Sequence, residues 1–358
     1  MADPTRRTIL SGLVAGVTSI AGCSKLNLFS QPSQQWKTGL PTGHTKIESP
    51  LCVTDKAIIF ATHSGTLFNV SRETGDIKWD KRVSSTSSNG PAITQRAIYY
   101  AEYGVSALSH DGDTLWEKQR DENPGMRVTP LALNDIVVSG EYDGMVVARD
   151  VTTGREVWET SLEGPSPITS LIVAGTSIFA SNQEGMLASV EPETGTMRWS
   201  YSGSYGQTVV GDENHIVLVG KEVTALSADT GEVEWTNTVT EPFGQPTIAE
   251  ESVFVASRST RTPDNPHDNE GRLWAFDLET GKRRWERETT PSPTTRPTVV
   301  DTQILAGMTD GTVQSFSTDG THNWTHETKG DAVTALTVQE GAAYVGTDEV
   351  AILAFELP

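Results

Sequence analysis

The sequence predicts an all-β fold: an eight-bladed propeller of four-stranded blades, with an N-terminal strand closing the last blade. Three observations carry that expectation. The first is a recurring eleven-residue motif, Ala275-Phe-Asp-Leu-Glu-Thr-Gly-Lys-Arg-Arg-Trp285, repeated at Ala148–Gly154–Trp158 and Ala225–Gly231–Trp235. Asn69–Gly75–Trp79 and Ser189–Gly195–Trp199 keep its spacing with a different first residue. The second is the step between closing tryptophans at 36, 79, 116, 158, 199, 235, 285 and 324, which runs from 36 to 50 residues, one blade's worth each. The third is the absence of any sustained 3.6-residue apolar period within the repeats.

In chain order, the first 22 residues read as an export signal. Thr5-Arg6-Arg7-Thr8 looks like a twin-arginine motif, and Leu10 to Ala21 is an apolar run of 12 residues. A membrane span needs about 20, so that run is too short to cross. Ile20-Ala21-Gly22-Cys23 resembles a lipobox, which would place cleavage before Cys23 and lipid on its sulfur. Residues 23–33 then read as a lipid-anchored tether, and 34–358 as the propeller.

Gln34–Lys37 is a closing strand with no blade before it, whereas Ala332 to Leu357 holds three strands and no closing tryptophan. Joining the two completes a ring and leaves no open edge. The unit ending at Trp79 sets the pattern, with strands at Ser49–Thr54, Ala57–Thr62, Thr66–Ser71 and Asp76–Lys81. In each Thr-Gly copy a glycine (Gly75, Gly154, Gly195, Gly231 and Gly281) precedes its tryptophan by four residues. Glycine reaches positive φ at little cost, so these are hairpin turns. Asp111-Gly112 and Asp319-Gly320, before Trp116 and Trp324, are tighter turns. Each indole has roughly 150–250 Å² to bury, so all eight tryptophans are expected to dock between neighbouring units rather than stack on a ligand.

The unit between Trp235 and Trp285 is the longest, because Arg258–Gly271 is inserted between its second and third strands. Other units bridge that point with a few residues, such as His63-Ser64-Gly65. Arg258, Arg261, Asp264, His267, Asp268 and Glu270 make this insertion the candidate binding loop. Asp264, Asn265, Asp268, Asn269 and Glu270 supply oxygens of the kind calcium takes, without the spacing of an EF-hand, so no metal is assigned there. His322 and His326 are four apart, but Trp324 between them marks a strand, and a surface position is expected for both. Asn69-Val-Ser71 and Asn323-Trp-Thr325 are glycosylation sequons, with Asn323 the more accessible on this reading.

Asp and Glu number 47 against 27 Lys and Arg, a net charge of −20. That excludes nucleic acid and an anionic membrane surface as partners, and it resembles surfaces adapted to high salt, where ions screen self-repulsion. The two cysteines are Cys23 and Cys52. With Cys23 lipidated no intramolecular disulfide forms, and Cys52 in the strand Leu51-Cys-Val53 reads as a buried, inert thiol.

The repeats resemble the pyrroloquinoline-quinone (PQQ) propeller repeat, Ala-x-Asp-x-x-Thr-Gly-x-x-x-Trp, over roughly residues 34 to 358. The family implies the propeller fold but not one function. It contains quinone- and calcium-dependent dehydrogenases as well as non-enzymatic propellers, such as the lipoprotein of the bacterial barrel-assembly machine. The dehydrogenases carry adjacent cysteines over the cofactor and an Asp base beside calcium; this sequence has no Cys-Cys pair and no catalytic residue to carry over. No Walker loop, Gly-x-Ser-x-Gly or His-Glu-x-x-His is present. The expectation is a non-catalytic, monomeric scaffold, lipid-anchored at the outer face of the cell membrane. Its partner would be a membrane-associated or cell-surface protein or peptide, and no cofactor is expected. The competing expectations are a small PQQ- and calcium-dependent oxidoreductase and a ligand-sensing propeller.

Overall fold

A computed structural model describes residues 32–358, apart from positions 48, 84–89, 102, 120–127, 205 and 259–268. The described residues form eight four-stranded antiparallel sheets and no helix. Each sheet is one blade, and its strands are counted here outward from the innermost. Blade 1 comprises Cys52–Val53, Ala57–Ala61, Thr66–Ser71 and Ile77–Arg82. Blade 6 comprises Pro242–Ala249, Ser252–Arg258, Gly271–Asp277 and Arg283–Thr289.

Blade 8 is assembled from both ends of the chain. Val333–Gln339, Ala342–Thr347 and Ala351–Glu356 are its first three strands, and Ser33–Gly39 is its outermost. Ser33 lies opposite Glu356, Trp36 opposite Ala354 and Gly39 opposite Ala351. The closing strand is therefore the one expected from Gln34–Lys37, extended at both ends.

The core lies between blades, where the face of one sheet covers the face of the next. Ile58, Phe60, Phe68 and Val70 of blade 1 pack against Tyr344, Ile352 and Ala354 of blade 8. Third strands are buried on both faces, as in Thr66–Ser71, while fourth strands alternate exposed and half-buried residues. That gradient is what radial stacking requires: the middle strands are covered by two neighbours and the rim by water.

The repeat motif locks each blade to the next. Gly75 N donates to Ser71 O at 2.9 Å, and the same i→i−4 closure recurs at Gly154, Gly195, Gly231 and Gly281. Their φ values lie between 68° and 76°, the left-handed region that favours glycine. Gly112 and Gly320 close one residue earlier, onto Ser109 O and Ser317 O, which makes the Asp-Gly turns tighter. The indole of the preceding blade lies directly over each of these glycines. A Cβ placed on Gly75, Gly112, Gly154, Gly195, Gly231, Gly281 or Gly320 would come within 2.5–3.1 Å of Trp36, Trp79, Trp116, Trp158, Trp199, Trp235 or Trp285 respectively. Each Nε1–H of those seven tryptophans also donates to a carbonyl in the same turn, from Trp36 to Arg72 O at 3.1 Å round to Trp285 to Thr318 O at 2.7 Å. The residue opposite the indole in the adjoining strand is always small or short: Ala, Ser or Asn, as in Ala148 opposite Trp158 and Asn69 opposite Trp79.

Trp324 packs against Phe355 of blade 8, edge-on, 1% exposed and donating to Gln303 Oε1 at 3.1 Å, but on no turn glycine, because the seam in blade 8 replaces that hairpin by two chain ends. Three expectations need correction. Blade 1's first strand is not Ser49–Thr54: only Cys52–Val53 pairs, because Pro50 has no N–H and Ser49 turns its Oγ to accept Ala61 N. Asn323 is buried and hydrogen-bonded to Ser317 Oγ at 2.9 Å, and Asn69 is buried too, so neither sequon is accessible in the folded ring. His326 is half-buried against Phe355, with ring centroids 4.3 Å apart, rather than on the surface.

Candidate functional site

The turns joining second to third strands share one face of the ring with the links between blades. On that face blade 6 departs from the repeat. Its second strand runs out to Arg258 and its third resumes at Gly271, so the insertion emerges where blade 3, for example, turns within Glu141–Gly144. Arg258 and Glu270 stand at the two feet of the insertion. Arg261, Asp264, His267 and Asp268 lie outside the described residues, as do Arg6, Arg7 and Cys23.

A groove of about 300 Å³ opens at these feet, lined by Glu241, Ser257, Arg258, Glu270, Arg272 and Glu288. Through Glu241 it adjoins a second opening of about 500 Å³ beside Phe243, Gly244 and Lys221. The guanidinium of Arg258 lies 3.8 Å from the centroid of the Phe243 ring, a cation–π contact that holds a charge at the rim. Glu241 has φ 45°, and its carbonyl accepts Arg258 N at 3.2 Å, so the link from blade 5 is bent to meet the foot of the insertion. Arg272 is drawn to Glu286 at 3.4 Å and Glu288 at 3.1 Å. The other foot is pinned outward: Asn269 Oδ1 accepts from Thr309 Oγ1 and Ser292 N of the neighbouring segment. Asn269 thus ties the end of blade 6's insertion to blade 7.

Sequence reasoning missed two residues here. Trp274 lies off the repeat position, 4% exposed, stacked on Phe276 at 6.3 Å and donating to Ser257 Oγ at 3.2 Å. Phe243 lies at the start of blade 6's innermost strand, outside any repeat position.

Innermost strands are joined round the channel by side-chain bonds to the next blade. Thr208 Oγ1 donates to Gly244 O, Thr247 Oγ1 to Pro297 O, Thr294 Oγ1 to Val333 O and Thr337 Oγ1 to Leu51 O. Cys52 plays this part in blade 1, its thiol 2.9 Å from Pro91 O. Burial pushes the Cys52 thiol up to about 11, with Arg296 pulling slightly the other way, so it stays a neutral donor at ordinary pH. Among the described residues no group of three or more His, Cys, Asp or Glu could hold a metal ion. Cys52 is the one described cysteine, and it is free. These residues do not fit the calcium and paired cysteines that accompany the quinone in the dehydrogenases the repeats resemble.

Fold and repeat together define a β-propeller closed by its N-terminal strand, with one loop-bearing face. The chain belongs to the family described as outer membrane protein assembly factor BamB, whose profile matches residues 25–220 and 183–313. It is 25% identical over 337 residues to the outer membrane protein assembly factor BamB of Burkholderia pseudomallei, covering 87% of this chain and 84% of that protein. It is also 25% identical over 211 residues to a polyvinylalcohol dehydrogenase of a Pseudomonas species, but spans only 32% of that enzyme. Among solved structures, BamB from Moraxella catarrhalis superposes with a TM-score of 0.72 at 18% identity, covering 91% of this chain and all of that one. A quinohemoprotein alcohol dehydrogenase from Comamonas testosteroni gives 0.73 at 12% identity, over 91% of this chain and 76% of its own. Likeness at such identities carries the fold alone.

Proposed function

We propose that this protein is a non-catalytic scaffold that binds a protein or peptide partner through the insertion-bearing face at blades 5 and 6. The observation that carries this reading is the site of the insertion: its feet, Arg258 and Glu270, line a groove with an Arg258–Phe243 rim, and Asn269 at its end is tied to blade 7. Rigid rings with one elaborated loop are suited to recognition, since the scaffold loses little entropy on binding. The near full-length match to outer membrane protein assembly factors supports a membrane-associated partner. On this reading residues 1–22 are removed on export, and residues 23–33 hold the monomeric propeller at the outer face of the cell membrane through lipid on Cys23. The excess of carboxylates serves solubility in high salt.

The test is cross-linking in intact membranes, comparing the wild-type chain with one whose residues 259–268 are replaced by Gly-Ser-Gly. Asn269 is kept, because removing it would also cut the ties to Thr309 and Ser292. Loss of the cross-linked partner from a folded variant is the expected result; an unchanged partner would refute the assignment. Cys23→Ala should release the protein from membranes, and a variant that stays wholly bound would remove the anchor from the account. The quinoprotein dehydrogenases among the relatives give the alternative, an oxidoreductase, a definite test: titrating PQQ with calcium in molar KCl should leave tryptophan fluorescence flat. Saturable one-to-one quenching would favour the enzyme.

A further inference from the structure

Both ends of the described chain meet at one face of the ring. Ser33 lies opposite Glu356 and Gly39 opposite Ala351, so blade 8's outermost strand enters at the end where Ala351–Glu356 leaves. In each blade that end carries the turns from first to second and from third to fourth strand, residues 54–56 and 72–76 in blade 1. The feet of the insertion, Arg258 and Gly271, are at the opposite end, with the second-to-third turns. In blade 8 that opposite end is closed by Leu40 N, which donates to Val350 O at 2.9 Å.

The separation of the two faces follows from the strand that joins them. Ser33–Gly39 has seven residues and, at about 3.3 Å each, carries the chain about 20 Å from one face to the other. Between Cys23 and Ser33 the chain can span at most about 33–36 Å, even fully stretched. A tether leaving the Ser33 face reaches a bilayer on that side directly. To lay the insertion-bearing face on the bilayer, it must double back along the outside of blade 8. That uses more than half of its greatest length before the insertion itself is cleared.

The Ser33 face is also one that does not settle onto lipid. Its turns in blades 5, 6 and 7 expose Glu213, Asp229, Glu250, Glu251, Glu279 and Asp319. Anionic headgroups repel these carboxylates over about a Debye length, about 10 Å at 0.1 M salt. The tether limits how far the ring can leave the bilayer, and the carboxylates keep it from adhering.

We propose that the ring is held with its Ser33 face toward the bilayer and its insertion-bearing face away from it. The partner bound there is then a water-exposed part of a membrane-associated protein, standing at least about 20 Å above the lipid. Segments within the bilayer are out of reach of the groove at Glu241, Arg258 and Glu270. This orientation rests on the lipid anchor at Cys23 and the partner site proposed above.

The test is energy transfer from the lipidated, full-length protein to a headgroup-labelled acceptor lipid in phosphatidylcholine vesicles. A donor dye is carried by Glu213→Cys, on the Ser33 face of blade 5, or by Glu184→Cys, on the opposite face of blade 4, each with Cys52→Ser. With the faces about 20 Å apart, transfer should be about twofold or more stronger from Glu213→Cys. Phosphatidylglycerol vesicles at low salt should weaken it, and added KCl should restore it. Equal transfer from the two positions, or stronger transfer from Glu184→Cys, would overturn the orientation. Cys23→Ala should abolish transfer from both; transfer that persists would mean that something other than the anchor holds the ring, and the proposal fails. Partner cross-linking after replacement of residues 259–268 is read separately. A wrong orientation leaves that loss of cross-linking in place, and a wrong partner site leaves the energy transfer unchanged.

Discussion

The contact between each indole and the next turn glycine can be isolated with one matched pair of substitutions. Gly231 and Gly341 have φ of 73° and 75°, so alanine suffers the same backbone penalty at both, about 1–2 kcal/mol. Their surroundings differ. A Cβ on Gly341 meets nothing within 4 Å, whereas one on Gly231 would lie 2.5 Å from Trp199 Cε3 and 2.7 Å from Cδ2. No real carbon tolerates those distances, so the indole must lift. Lifting it weakens the Nε1 bond to Ala228 O, now 3.1 Å, at about 1 kcal/mol, and opens the packing beneath the ring at about another 1 kcal/mol. Gly231→Ala should therefore cost about 3–4 kcal/mol and Gly341→Ala about 1–2. Guanidinium chloride denaturation followed by tryptophan emission reads the difference through the shift in midpoint at constant m-value. Equal losses at the two positions would show that the indole–glycine contact contributes nothing beyond backbone conformation.

Three further outcomes follow from the same structure. Val350 has φ 59°, a conformation a β-branched residue strongly resists, at a turn where blades 1, 3, 4 and 7 carry Gly65, Gly144, Gly185 and Gly311. Val350→Gly should stabilise the protein by about 0.5–1 kcal/mol, the relieved strain less glycine's added chain entropy, and a lower Tm would contradict this. Burial against Phe355 lowers the pKa of His326 below its unfolded value, so as pH falls the unfolded chain takes up the proton first. Stability from this residue is thus present above its unfolded pKa of about 6.5 and is lost as pH drops below that; His326→Gln should flatten the decline in Tm between about pH 7 and 5, and an unaltered slope would clear His326. In a chain beginning at Ser24, Cys52 is the only thiol. Iodoacetamide at about pH 8 should leave it unmodified when folded and alkylate it in denaturant, because its thiolate is suppressed by burial; modification of the folded protein would refute that protection.

What was legible in the sequence was whatever a few adjacent residues decide. A glycine held at positive φ by a Thr-Gly turn, with tryptophan four residues later, specifies the hairpin locally, so third and fourth strands fall within a residue or so of their expected bounds. The seam was legible because Trp36 lacked a blade and the last unit lacked a tryptophan. Innermost strands were harder to place: Cys52–Val53 and Ala92–Ile93 are two residues long, and their ends are set by prolines and by bonds to the next blade rather than by alternation. The site was legible only as an insertion. Arg258 and Glu270 could be named because they flank it in sequence. Phe243 gains meaning only from Arg258 at the far end of the neighbouring strand, so nothing in its own neighbourhood marks it.

The pairing of Ser33–Gly39 with Ala351–Glu356 joins segments more than 300 residues apart in the chain. The N-terminal strand therefore has nothing to pair with during synthesis until nearly the whole polypeptide exists. Bringing such distant ends together is also the slowest contact the chain must make. Cooperative closure then reports completeness: a polypeptide stopped short of Ala351 keeps its earlier blades but leaves two raw edges, one on each side of the gap. Such edges invite strands from other molecules, so fragments would be marked for aggregation or degradation while the finished ring has both of these strands paired.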